Sequence, residues 1–407
     1  MDSEQNGFVK FSNSENLLPQ AETLEVNRQK SSFTIGVPKE TSYQENRVPL
    51  APQAVGLLIA NGHRVLIETD AGKAAHFSDT DYSEVGAEIV YNSSEIFKTD
   101  LIIKVAPPSI EEVEMMKSRQ TIISSLHLTG QKRDYFEKLM AKKVTAFAYE
   151  YIKDKTGIFP VLKGMSEIVG TASVFIAAKC LENKDYGKGT LFGGFPGISP
   201  TEVIILGSGT VAEYAARAAI GLGAIVKVFD NSIYKLRRLQ DMVNARLFTS
   251  ILQPKVLKKA LNTADVVIAA MHTKEGISPI LVTEDMVREM NEGSVIIDVS
   301  IDQGGCVETS KVTNHKDPVF VKYGVTHYCV PNIASKVPHT ASYALSNFLT
   351  PILLKAGDEG GFETLLRLDP GSRNGVYLLN GTLTKPYIGE YFTLPYQDID
   401  LLMAALR

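Results

Sequence analysis

From Phe33 onward the chain alternates short apolar runs with amphipathic stretches. "FTIGVP", "RVLIET", "EIVY", "DLIIKVA", "TIISSL" and "VTAFAYEYI" read as strands, with "APQAVGLLIANG", "SDTDYSEVGA", "IEEVEMMK" and "RDYFEKLMAKK" as the helices between them. Apolar runs of about four to eight residues between helical patterns predict βαβ units and a parallel sheet buried on both faces. The small-residue stretch "GMSEIVGTASVFIAAKCLE" predicts a long connecting helix, and "GGFPGISP" breaks the chain after it. A second series follows, with "VIIL", "IVKVFD", "ADVVIAAM", "SVIIDVS" and "HYCV" as strands and "TASYALSNFLTPILLKAG" as a helix ended by Gly357. A chain of 407 residues exceeds what one core usually holds, so the expected architecture is α/β in two domains.

The stretch "VIILGSGTVAEYAARAAIGLGAIVKVFD" adds chemistry to the second domain. Gly207 permits a tight strand-to-helix turn, Gly209 lets the backbone approach a pyrophosphate, and Ala212 lets the helix lie close on its strand. The motif sits between a strand run and a helix pattern, and Asp230 ends the next strand run, the context that supports a dinucleotide fingerprint. These features predict a Rossmann dinucleotide-binding domain over 161–339 and a second parallel-sheet α/β substrate domain over 33–160 plus 340–407. The tail is expected to return onto that domain, and residues 1–32 to form a polar N-terminal arm. Asp230 can accept hydrogen bonds from ribose hydroxyls and would repel a 2′-phosphate, which favours NAD over NADP. Lys235 opens "KLRR", a run that could receive a phosphate but more often forms the solvated face of a helix.

Composition narrows the partners. A formal net charge of −4 without a long basic block offers no footprint for nucleic acid or a membrane surface, so a small-molecule substrate is expected. Cys180, Cys306 and Cys329 lie far apart, an odd and low count that argues against a disulfide framework and fits a reducing cytoplasm. The amino terminus lacks a basic region followed by an apolar one, and no uninterrupted apolar stretch approaches the roughly 20 residues that span a bilayer. The histidines besides His127 show no metal-ligand spacing, so no catalytic metal is expected.

Three further stretches, "GVPKETSYQENRVPLAP", "SSLHLTG" and "VIIDVSIDQGGCVETS", resemble the alanine dehydrogenase family, which is related to the NAD-binding subunit of proton-translocating transhydrogenase. With "MSEIVG", "GGFPG", "HYCVPNIASKVP" and "ASYALSN", the resemblance covers about residues 33 to 360. It implies two domains flanking a cleft, reversible NAD-dependent oxidative deamination of L-alanine to pyruvate and ammonia, and a homo-oligomer, a hexamer in relatives. Arg47 matches the arginine that binds the substrate carboxylate, for which a planar guanidinium with paired donors is suited. His127, at the end of a strand run, matches the group that exchanges protons during imine hydrolysis. Asp302 matches an acid beside the nicotinamide and the amine, and Asp298, inside the strand run, is the structural alternative. Tyr149, Met165, Ser166 and Asn332 match positions lining the cleft. The expected cofactor set is Ser166, Gly207, Ser208, Gly209, Thr210, Val211, Asp230, Lys235, Met271, Val299, Asp302 and Asn332.

The chain departs from this pattern in "KVAPP", where the family's catalytic lysine falls on Ala106 and Lys104 matches only the lysine before it. Two readings follow: Lys104 reaches into the cleft and restores the catalytic cation, or it snorkels outward and Ala106 enlarges the pocket for a bulkier 2-oxo acid. "AAMHTKEG" and His339 also depart. A transhydrogenase alpha-like component, a dehydrogenase for another amino acid and a non-catalytic NAD sensor remain alternatives.

Overall fold

The computed structural model describes residues 30–271 and 278–405. Six strands of the first half run parallel: β1 (Thr34–Val37), β2 (Arg64–Glu68), β3 (Glu88–Val90), β4 (Leu101–Ile103), β5 (Thr121–Ser124) and β6 (Thr145–Ala148). Their central members are β-branched and fully enclosed, as expected of a sheet covered on both faces. The chain lays β2 and β3 on one side of β1 and β4 to β6 on the other. It therefore reverses direction between β1 and β4, where the carboxyl ends of strands open a crevice.

The second sheet holds β7 (Glu202–Leu206), β8 (Ile225–Phe229), β9 (Phe248–Ser250), β10 (Val266–Ala269), β11 (Val295–Asp298), β12 (Val319–Lys322) and β13 (Val325–Tyr328), in the order β12-β13-β11-β10-β7-β8-β9. Here the switch point lies between β7 and β10, and the glycine loop follows β7. β12 pairs antiparallel with β13 at the edge. Two late strands, β14 (Val376–Leu379) and β15 (Thr382–Leu383), leave this half and join the first sheet, β14 antiparallel to β6. Both sheets are thus mixed, where the sequence pattern suggested parallel ones. These added strands are short, and the apolar run of the edge strand β12 is three residues long.

The connecting helix spans Pro160–Glu182. It is long and apolar enough by composition to cross a membrane, but Val174, Ala177 and Leu181 are buried in the core of the second half. Two glycines let it approach both halves closely, one against a ring and one against backbone. A Cβ on Gly164 would lie 2.6 Å from the Phe348 ring, and one on Gly170 would lie 2.4 Å from the Val211 carbonyl. Phe348 belongs to the helix Pro338–Asp358, which runs through Gly357 and stops before Gly360 and Gly361, both at positive φ. Gly357 is instead a close-approach residue under His63. Ahead of β1, the Ser31 amide donates to the Gly357 carbonyl at 2.9 Å.

Gly170→Ala is expected to lower stability by about 1–3 kcal/mol, the usual cost of overfilling a tight contact. Gly221→Ala, whose Cβ would meet nothing within 4 Å, should be neutral or slightly stabilising. Denaturant unfolding of the two variants checks the contrast, and equal effects would refute the close-contact argument.

Candidate active site

The sequence-expected residues gather at the carboxyl ends of the parallel strands. From the first sheet come Arg47 after β1, Ala106 after β4, His127 after β5 and Tyr149 after β6. From the second come the glycine loop after β7, Asp230 after β8, Met271 after β10, Val299 to Asp302 after β11 and Asn332 after β13. Met165 and Ser166 lie half-buried on the connecting helix between them.

Arg47 is buried and already holds a carboxylate. Its Nε donates to Glu45 Oε1 at 2.8 Å and its Nη2 to Oε2 at 2.6 Å. This side-on fork leaves the Nη1 edge, among the described residues, with the Met165 sulfur at 3.6 Å as its hydrogen-bond partner. Burial pushes the Glu45 carboxyl upward, but the charge and hydrogen bonds of Arg47 outweigh it and hold the group below its ordinary value. Glu45 also accepts from Asn332 Nδ2 at 2.8 Å. Next to it, the Asn46 amide donates to Ser335 Oγ at 2.8 Å, and Gln44 Oε1 accepts from the His315 amide at 2.6 Å. The loop that aims Arg47 is therefore latched to two segments of the second half, one ahead of β12 and one after β13.

His127 sits in the left-handed region, at φ 44° and ψ 57°. A non-glycine residue held there stores about 1–3 kcal/mol of strain, which its surroundings must offset. Its ring is open to solvent, yet the nearby protein still costs the cation hydration. Together with the Arg47 charge this lowers the imidazole below its ordinary value, so it is neutral at pH 7 and able to accept a proton. Tyr149, almost fully buried, donates its hydroxyl to the Val105 carbonyl at 2.8 Å.

Lys104 corrects both readings of "KVAPP". It neither enters the cleft nor snorkels: it is 0% exposed, with Nζ 2.6 Å from each Glu112 oxygen. Glu112 is fixed by a capping box with Ser109 at the start of the helix Ile110–Met115. The expectation of Lys104 as the cleft's cation is withdrawn, because its charge is committed to a buried acid. Glu40 stands beside this pair, 3.8 Å from Nζ, and accepts from the amides of Val105 at 2.5 Å and Ala106 at 3.3 Å. Burial drives the Glu40 carboxyl up to about 7, more than Lys104 and the Val105 amide offset.

The glycine loop presents a cradle. Gly207 has φ 102°, and a Cβ there would lie 2.5 Å from the Ala270 carbonyl. Gly209 caps the helix Thr210–Gly221, and a Cβ on it would meet nothing within 4 Å. Backbone donors of Thr210 and Val211 open that helix, whose buried Ala212 packs on the sheet. Asp230 is buried, accepting from Ser208 Oγ at 2.7 Å and from the Ser232 amide at 2.8 Å. Lys235 is exposed on the following helix. Asp302 is exposed at the end of β11, whereas Asp298 is fully buried and accepts from the Cys306 amide and Ser310 Oγ. His272 to Gly276 of "AAMHTKEG" lie outside the described residues. His339 packs on Phe77 and Tyr343 and bonds the Ala75 carbonyl. Among the described residues no group of three or more His, Cys, Asp and Glu could hold a metal ion. A cavity of about 330 Å³ lined by Asp100, Arg119 and Glu363 lies at the amino ends of the first sheet's strands, away from these groups.

Sequence reasoning missed the acids: Glu40, Glu45, Glu112 and Glu150. Only Glu112 carried a signal, the Ser-x-x-Glu spacing of a capping box.

Two family profiles cover the chain. "Alanine dehydrogenase/PNT, N-terminal domain" matches residues 36–169 and "Alanine dehydrogenase/PNT, C-terminal domain" residues 173–386. The chain is 37% identical over 367 residues to the alanine dehydrogenase of Staphylococcus saprophyticus, covering 90% of this chain and 98% of that one. Alanine dehydrogenase 2 of Staphylococcus aureus matches to the same extent. Among solved structures, an L-alanine dehydrogenase superposes with a TM-score of 0.83 at 38% identity, over 88% of this chain and 99% of that one. A transhydrogenase from Sinorhizobium meliloti gives 0.74 at 21% identity, over 87% and 99%, a likeness of fold.

Lys104→Met is expected to cost about 3–5 kcal/mol of stability, since it leaves Glu112 a buried charge without its cation. Urea unfolding at pH 8 measures this. A loss below about 1 kcal/mol, typical of a solvated pair, would mean the ammonium is not enclosed.

Proposed function

The chain belongs to the alanine dehydrogenase/PNT family, and from that premise we propose that it catalyses the reversible, NAD-dependent oxidative deamination of L-alanine to pyruvate and ammonia. The observation that carries this reading is the buried Arg47, whose Nε and Nη2 are fixed by Glu45 while its Nη1 meets only a weak acceptor, the Met165 sulfur, and whose charge helps to keep His127 neutral.

The glycine cradle fits a nicotinamide dinucleotide, because the space above Gly209 that a side chain would fill is open. Gly207, Ser208, Gly209, Thr210 and Val211 would hold the pyrophosphate, and Asp230 the ribose hydroxyls. Met271, Val299, Asp302, Ser166 and Asn332 would line the nicotinamide end. Bound there, NAD supplies the acceptor for the hydride of the α-carbon. Arg47 takes the substrate carboxylate on its free edge beside Met165, and Glu45 keeps the guanidinium from rotating. His127 accepts the proton of the water that attacks the substrate imine and returns it on departure of ammonia. The Asp302 carboxylate stabilises the positive charge on the amine and iminium. Tyr149, anchored on Val105, walls the pocket. We take the unit built on the first sheet, 33–160 with 340–407, as the substrate domain and 161–339 as the cofactor domain. The exposed Leu191, Phe195 and Ile198 supply an apolar face for assembly into a homo-oligomer, and a cytoplasmic setting suits the three free cysteines.

A second reading, a dehydrogenase for an amino acid bulkier than alanine, is favoured by one observation. Ala106 stands where a lysine would, and Lys104 is sealed against Glu112, so that side of the pocket has gained volume and lost a cation.

The test is NADH oxidation with ammonium and a series of 2-oxo acids. Pyruvate should give the highest kcat/KM, and a branched 2-oxo acid preferred over it would support the second reading. His127→Ala should lower kcat by about 10² to 10⁴, the usual contribution of a positioned acid–base group, while leaving NADH affinity intact. Unchanged turnover would remove His127 from the mechanism.

Cofactor choice is checked separately by calorimetric titration. NADH should bind at least about tenfold more tightly than NADPH, a difference of about 1.4 kcal/mol. Asp230→Ser should narrow the gap, and equal affinities in the unaltered protein would refute the role of Asp230.

A further inference from the structure

An acid that the mechanism above does not use lies against the turn that carries its histidine. Glu150 occupies the turn Tyr149–Tyr151 after β6, and its Oε1 accepts from the Leu126 amide at 2.7 Å. The His127 amide also contributes to stabilising its charge. Oε2 is buried and has no hydrogen-bond partner among the described residues. The two amides belong to the turn in which His127 takes its left-handed backbone.

We propose that Glu150 is a positioning residue for His127: its carboxylate grips the Leu126–His127 turn from below, holds the left-handed backbone that presents the imidazole, and relaxes that grip when protonated. The inference rests on His127 being the proton-exchanging group.

The surroundings support a device that responds to pH. Tyr149 and Tyr151 flank Glu150 on its own turn, Tyr135 faces it from the helix Arg133–Ala141, Tyr377 from β14 and Tyr387 from the helix Pro386–Phe392. Each of these hydroxyls is raised in part by the Glu150 charge. The groups that stabilise its ionised form are backbone amides, with no lysine or arginine among them. Burial therefore dominates and pushes the carboxyl up to about 7. His127 moves the other way, below its ordinary value. As pH rises, His127 loses its proton first. Glu150 ionises near 7, converting neutral hydrogen bonds to the turn into charge-assisted ones.

The same sign governs folding. A carboxyl raised above its unfolded value favours the folded state most at pH below about 4.5. That contribution is lost as pH rises through about 7, so the ionised grip on the turn is held at a cost in stability.

The experiment compares Glu150→Gln, Glu150→Asp and Glu150→Ala with the unaltered protein. The kcat–pH profile is measured in reductive amination, together with hydrogen–deuterium exchange of the peptide spanning 121–131. In the unaltered protein, kcat and the protection of that peptide, corrected for intrinsic exchange, should both rise through pH 7. Glu150→Gln, which keeps an acceptor but cannot ionise, should abolish the rise in both, lower kcat at pH 8.5 by about threefold to tenfold and leave KM for NADH unchanged. Glu150→Asp should restore the pH-dependent rise at reduced amplitude. Glu150→Ala should lower kcat more than tenfold at every pH, and unfolding scans separate this from a failure to fold. A rise near pH 7 that persists in Glu150→Gln would assign the titration to Glu40 or another group and overturn the proposal. If the unaltered protein turned over no 2-oxo acid, the functional reading would fail. Peptide protection would then decide the role of Glu150 on its own.

Discussion

The geometry of the site depends on one helix that two glycines let approach both of its neighbours closely. In the helix Pro160–Glu182, Gly164 lies under Phe348 and Gly170 under the Val211 carbonyl, so a single rigid rod is registered against both halves. Met165 and Ser166 fall between these two glycines. They are placed between the Arg47 guanidinium and the glycine loop by helix packing, without a flexible connection. Interiors are close-packed and do not yield gradually. A side chain at either glycine would part the layers and move one half of the site relative to the other. The Gln44–Asn46 latch to His315, Asn332 and Ser335 is a second tie between the halves, made of hydrogen bonds and so easier to reopen than the helix contact.

On this frame lies an electrostatic imbalance. Glu40, Glu45 and Glu112 share a confined region with two cations, Lys104 and Arg47, and each cation is committed to one acid: Glu112 for Lys104, Glu45 for Arg47. The acid left over is Glu40, which resolves the excess by holding a proton up to about pH 7. A lysine at position 106 would have supplied the missing positive charge. With alanine there, the pocket wall is an amide and a methyl group, and the nearby acid is largely neutral below pH 7. On the proposed reading, the substrate's carboxylate is left to Arg47 among the cations of this cluster, which makes the aim of that guanidinium decisive.

How much of this could be read from the sequence varied with the range of the interaction. β1 to β6 and the main strands of the second sheet were visible because each is a continuous apolar run between turn residues. β12, β14 and β15 were not, since a strand of two to four residues is too short to leave a periodic signal. Gly357 looked like a helix stop because glycine usually is one, but it was used to admit His63. The cofactor loop was readable because its chemistry is local, within one strand–turn–helix. Arg47 and His127 stood out only by resemblance. The acids that organise them looked like ordinary loop residues, because nothing local distinguishes a buried glutamate from a solvated one. Lys104 was misjudged for the same reason: strand alternation gives the direction in which a side chain leaves, and says nothing of an acid eight residues later that turns back to meet it.

The carboxyl-terminal strands complete this argument, because they build the rear wall of the histidine's turn. β14 pairs with β6 just ahead of Tyr149, and the residues around it close on the turn from behind. A Cβ on Gly375 would lie 2.5 Å from Ile152 Cγ1. Asn374 Nδ2 donates to the Tyr151 carbonyl at 2.7 Å, and the Tyr377 and Tyr135 hydroxyls meet at 3.0 Å. Removing this wall would admit water to Glu150 and take away the desolvation that raises it toward 7. The carboxylate would then ionise at the ordinary value of an exposed glutamate, and its hold on the turn would no longer change across neutral pH. The pH response assigned to Glu150 therefore requires two distant parts of the chain: the turns after β5 and β6 supply the histidine and the carboxylate, and residues 374–387 supply the dryness that sets the carboxylate's titration.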